Sequence, residues 1–149
     1  MSPSKHVIVS TGVGMIMLLW LKSWAAAGAC FVSGILIDLD HHLDFFWAKN
    51  KIPLNYQELR TFCKFDKHGK LFLIFHSYES LIVLWLLIYY LQLNVVWLGI
   101  AVGLTVHLFF DQFTNPIKPF FYFFIYRVRV GFERKHLFTK EYLQKIQIA

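Results

Sequence analysis

The chain has 149 residues, 57% of them hydrophobic and 19% aromatic, with a mean hydropathy of +0.50, an apolar share that excludes an ordinary soluble domain and predicts one membrane-embedded domain over 1–149. Fifteen Lys and Arg against nine Asp and Glu give a net charge of +6, which suits anionic lipid head groups or acidic substrates. No basic helix or aromatic-basic motif of a nucleic-acid binder is present, so nucleic acid is excluded as a partner, and the two cysteines, Cys30 and Cys63, make no disulfide framework.

Four apolar helices are predicted in chain order. The first, 4–21, extends the run Val7 to Leu21 back through His6, with Pro3 tolerated in a first helical turn. The second, 24–47, reaches spanning length only if "ILIDLDHHLDFFW" belongs to it, and it then carries a tryptophan at each end. A polar loop at 48–70 follows. Its "PLNYQELRTFCKF" puts Leu59, Phe62 and Cys63 on one helical face, as in a short helix lying on a membrane surface. The third and fourth helices cover 71–93 and 95–113. A tail, 114–149, breaks at Pro116 and Pro119, runs through an aromatic stretch as an interfacial segment and ends in a soluble, amphipathic part. "KS" at 22–23 and Asn94 are tight turns, so the helices pair as two antiparallel hairpins. The predicted fold is an all-α integral membrane bundle with four transmembrane helices. Of the fifteen basic residues only Lys22 falls on the tight-turn side. The positive-inside rule then puts both termini and the long loop on the cytoplasmic side of a multi-pass protein of the bacterial inner membrane. Nothing in the sequence assigns an oligomeric state.

Ionisable residues in spanning segments are costly and point to function. His6 opens the first helix; Asp38, Asp40, His41, His42 and Asp44 end the second; His76 and Glu79 open the third; His107 and Asp111 end the fourth. Because the helices alternate in direction, all four groups fall at one depth on one side. His107 and Asp111 are four residues apart, His76 and Glu79 three, and Asp38 and His41 three, so each set can project from one helical face. Imidazole with carboxylate is the donor set of zinc and similar divalent ions. The number of donors suits two or more ions, with a metal-activated water as nucleophile.

Each residue also has a bland reading. His6 alone reads as a helix-end residue, and His42 as a supporting or interfacial one. Asp40 sits about 200° around an intact helix from Asp38, which turns it toward Asp44 and water. His68 and His136 read as solvated loop residues.

The ordered set "KHVIVS" (His6), "IDLDHH" (Asp38, Asp40, His41), "FHSYES" (His76, Glu79) and "GLTVHLFFDQFTNP" (Gly103, His107, Asp111), with "YRVRV" after it, resembles the YdjM-like family of membrane-bound metal-dependent hydrolases, distantly related to zinc-dependent phospholipase C. The resemblance covers most of the chain in order. Two departures stand out: Ile37 replaces the family's proline before Asp38, and a double-histidine motif is reduced to His76 followed by Glu79. The resemblance implies hydrolysis of an ester or phosphoester bond.

The leading expectation is a membrane enzyme in which a divalent metal, zinc by preference, activates water against a phosphoester of a membrane lipid. The expected ligands are His6, Asp38, Asp40, His41, His76, Glu79, His107 and Asp111. Asp38 and Glu79 are the expected catalytic residues, Glu79 as ligand or general base. Arg127, Arg129 and Lys118, with Arg134, could hold the phosphate. Two alternatives are a metal-ion or proton-coupled carrier built on the same cluster, and a non-catalytic, metal-stabilised interaction protein. The carrier reading calls for polar residues continuing across the membrane; the half near Lys22 and Asn94 offers only a few hydroxyls and an amide.

Overall fold

A computed structural model describes residues 3–65 and 69–148, and His68 lies outside the described residues. In chain order the helices are α1 (Pro3–Leu21), α2 (Trp24–Leu36), α3 (Asp40–Lys49), α4 (Tyr56–Phe65), α5 (Tyr78–Tyr90), α6 (Val95–Thr114), α7 (Phe124–Arg129), α8 (Arg134–Leu137) and α9 (Lys140–Ile148), with a 3-10 turn at Ile37–Leu39. Among the described residues the fold is all-α; extended pairing is limited to isolated bridges. The chain divides into two compact units, Met1–Ile37 with Tyr78–Asn115, and Asp38–Ser77 with Pro116–Ala149.

The first unit holds α1, α2, α5 and α6. Lys22, at φ 50, turns α1 into α2, and the Ser23 side chain accepts the Ala26 N–H at 3.3 Å as an N-cap. The second hairpin turns at Gln92, φ 49, and Asn94 caps α6 by accepting the Val96 N–H at 3.0 Å. Both hairpins therefore form where the polar cap residues interrupt the apolar runs. α6 packs closely along α2. A Cβ added at Gly99 would collide with the Ala26 carbonyl, and one at Gly103 with the Cys30 carbonyl, so both positions need glycine for this approach. α1 and α6 are long and apolar enough to cross a membrane. α5 is 13 residues long and buries none of them within the structure.

Two predicted helices are corrected. The span 24–47 is not one helix, because the backbone tightens to 3-10 geometry at Ile37–Leu39 and restarts as α3. The interruption occurs without a proline. Likewise 71–93 is helical only from Tyr78; the apolar run before it is irregular, with Leu71 and Leu73 buried and Ile74 and Phe75 exposed.

In the second unit α3 ends at Asn50 in the left-handed conformation, φ 51. The apolar face of α4 packs on α3: Leu59 and Phe62 are buried against Phe45, whose ring meets Phe62 edge-on at 5.0 Å. That face is thus covered inside the unit. Asn55 accepts the Glu58 N–H at 2.9 Å and Glu58 accepts the Leu54 N–H at 2.8 Å, so both side chains satisfy backbone donors at the start of α4. Lys51 beside Glu58 is the main cause holding its carboxyl below the usual range. The tail folds back: Leu71 N–H donates to Phe132 O at 2.9 Å and Arg134 N–H to Gly69 O at 2.6 Å. Arg134 is buried, and its Nη2 donates to the Cys63 carbonyl at 2.5 Å, near the C-terminal end of α4 where a cation is favoured.

Candidate metal centre

In the first unit, α1 and α6 bring His6, His107 and Asp111 together, all buried. His6 Nε2 lies 3.1 Å from Asp111 Oδ1, and His107 Nε2 lies 3.5 Å from Asp111 Oδ2. The two rings stack with centroids 4.0 Å apart at 13°. His107 Nδ1 is 2.7 Å from the Gly34 carbonyl. A carbonyl only accepts, so Nδ1 carries the proton and the lone pair of the neutral ring is on Nε2.

The second unit repeats the pattern. His41 Nε2 and His76 Nε2 lie 3.9 and 3.7 Å from the same atom, Asp38 Oδ1. His76 Nδ1 is 3.2 Å from Asp40 Oδ2, which again places a proton on Nδ1 and turns Nε2 toward Asp38. In each trio two Nε2 atoms converge on one carboxylate, and the donor atoms of each lie within 4.8 Å of one another.

These separations are compatible with a shared metal ion. At 3.5 to 3.9 Å, three of the four contacts are too long for N–H···O bonds. Two atoms each bound about 2.0–2.1 Å from a tetrahedral zinc sit about 3.3 Å apart. Two stacked imidazoles also repel one another when both are protonated, whereas one shared cation satisfies both and the carboxylate. The donor sets therefore fit a divalent ion.

The 3-10 turn explains how Asp38 and Asp40, two residues apart, reach opposite nitrogens of one ring. Asp38 approaches Nε2 from the turn, and Asp40, the first residue of α3, takes Nδ1. Asp40 and Asp44 do share a face of α3, as expected, but that face is buried rather than wet: they are 2% and 1% exposed. Asp40 Oδ2 also accepts the N–H groups of Phe75 and His76 at 2.7 and 3.1 Å, and Asp44 Oδ1 accepts that of Phe72 at 2.9 Å. Asp40, expected as a ligand, faces the His76 ring as an orienting carboxylate does behind a metal-bound histidine.

Other expected residues fall outside the trios. His76 precedes α5 and Glu79 lies in its first turn, so the helical spacing that was to align them does not apply. Arg127 is fully buried, with Nη1 and Nη2 donating to backbone carbonyls. It is therefore not at the surface to meet a phosphate. Arg129 is exposed, and Lys118, half-buried, donates to the Lys135 carbonyl at 3.2 Å. His42 and His136 are exposed. No family of known proteins, curated protein or solved structure matches the chain.

Proposed function

We propose that the protein is an integral membrane metal-dependent hydrolase of the YdjM-like kind, acting on a phosphoester or related ester bond of a membrane lipid. The observation that carries this reading is the repeated trio, two imidazole Nε2 atoms on one carboxylate. Two histidines and a carboxylate are a donor set of zinc hydrolases. Zinc there makes water nucleophilic near neutral pH. His6, His107 and Asp111 hold one ion; Asp38, His41 and His76 hold another. Asp38 and Glu79 are the carboxylates offered for proton transfer, and Arg129 and Lys118 the cations for a phosphate.

The membrane reading is supported by the outward apolar surface of the first unit. Ile8, Leu19 and Trp20 of α1 are 71, 78 and 70% exposed, and Tyr89 and Tyr90 of α5 are 69 and 73% exposed. Such a surface suits lipid, not water. In this reading α1, α2, α5 and α6 of the first unit form the membrane-embedded bundle, with the basic residues and both termini in the bacterial cytoplasm.

Incubating purified protein with vesicles of bacterial lipid extract tests the function. Zinc-dependent release of a phosphorylated head group or of phosphate is expected, lost in His107→Ala and Asp38→Asn and retained in His136→Ala. Metal uptake into sealed vesicles without hydrolysis would instead support a carrier.

A further inference from the structure

Residues 71–77 form no helix, yet Leu71, Leu73, His76 and Ser77 are all 1 or 2% exposed. Buried irregular backbone needs partners for its polar groups, and here charged side chains supply them from two sides. Asp40 and Asp44 take the N–H groups of Phe72, Phe75 and His76. Arg127, 0% exposed, takes the carbonyls: its Nη1 donates to Phe72 O at 2.8 Å and Leu73 O at 2.6 Å, and its Nη2 to His76 O at 2.9 Å. Leu73 is held at φ 39, a left-handed conformation that a bulky residue adopts only when its surroundings impose it. The guanidinium bond to its carbonyl is one such constraint.

We infer that Arg127 is a positioning residue for His76. Its planar fork fixes the carbonyl edge of the segment while Asp40 fixes the amide edge and the ring, so that Nε2 is directed toward Asp38. A phosphate-binding role would leave these carbonyls without their donor. Lysine can supply the charge but not the fork. Its consequence for metal affinity rests on His76 being a metal ligand.

The test uses the full chain in detergent, with Arg127→Gln and Arg127→Lys, circular dichroism for folding, cobalt(II) titration followed by visible absorption, and ¹⁵N NMR of the histidine rings in metal-free protein. Expected are folded variants whose cobalt affinity falls about 10–100-fold, the range for lost supporting contacts behind a ligand. The His76 ring should pass from a single Nδ1–H form to a mixture, while His107, held by Gly34, keeps its own. A folded variant with the parental His76 ring signals and cobalt affinity overturns the inference. So does the failure of both variants to fold, which would make Arg127 structural only. If the parental protein binds no cobalt, the metal reading fails, and the ring signals alone still decide whether Arg127 positions His76.

Discussion

Replacing Asp40 separates an orienting carboxylate from a dispensable one. Its Oδ2 accepts two backbone N–H groups at 2.7 and 3.1 Å and faces His76 Nδ1 at 3.2 Å, in a site 2% exposed. Hydrogen bonds to a charged group contribute about 1.5–3 kcal/mol each, but three on one oxygen do not simply add. Removing one partner of a buried charged network costs about 3–5 kcal/mol, and that is the loss expected for Asp40→Ala. Asp40→Asn keeps an oxygen facing the amides and loses the charge, so about 1–2 kcal/mol is expected. Zinc affinity should fall about 10–100-fold in Asp40→Asn, because the oxygen facing His76 Nδ1 loses the charge that raises the basicity of the ring. Denaturant unfolding followed by tryptophan fluorescence gives the first quantity, and competition with a zinc chelator the second. An Asp40→Ala protein that unfolds at the parental denaturant concentration and holds zinc as tightly would refute the argument.

Gly103→Val should destabilise the first unit by about 1–3 kcal/mol through overpacking against the Cys30 carbonyl. Gly12→Ala, where nothing lies within 4 Å of an added Cβ, should be neutral or raise stability by up to about 1 kcal/mol; thermal unfolding in detergent checks both. Phe62→Ala, removing a buried ring from the contact with Phe45, should cost about 3–5 kcal/mol, visible in the same unfolding experiment. Burial pushes the Cys63 thiol up to about 12, outweighing the nearby Arg134. Its thiolate fraction at neutral pH, and hence its rate with iodoacetamide, should be about a thousandfold below that of a free thiol. Alkylation in native detergent that matches the rate in unfolded protein would contradict that burial.

The sequence made some features legible because their cause is local. Ser23 and Asn94 are good N-caps set between apolar runs, and the two hairpins turn there. Histidine and aspartate in apolar surroundings marked the donor residues, since few other roles offset their cost. The break at Ile37–Leu39 left no such mark, having neither proline nor glycine. Residues 71–77 were misread as helix for a related reason: "LFLIFHS" is apolar and unbroken, and what holds it out of a helix is distant. Its partners, Asp40, Asp44 and Arg127, lie 28 to 55 positions away. The grouping of His76 with Asp38 and His41 depends on that same irregular segment, which takes His76 off the helix of Glu79. Arg127 looked like a phosphate ligand for want of any local sign that three carbonyls claim it.

The most direct measurement is the zinc content of detergent-purified protein, prepared without chelator, in the parental chain and in single variants of each trio. About two ions per chain are expected, about one in His107→Ala and about one in His41→Ala. Fewer than about one ion in the parental protein, or unchanged content in both variants, would contradict that expectation.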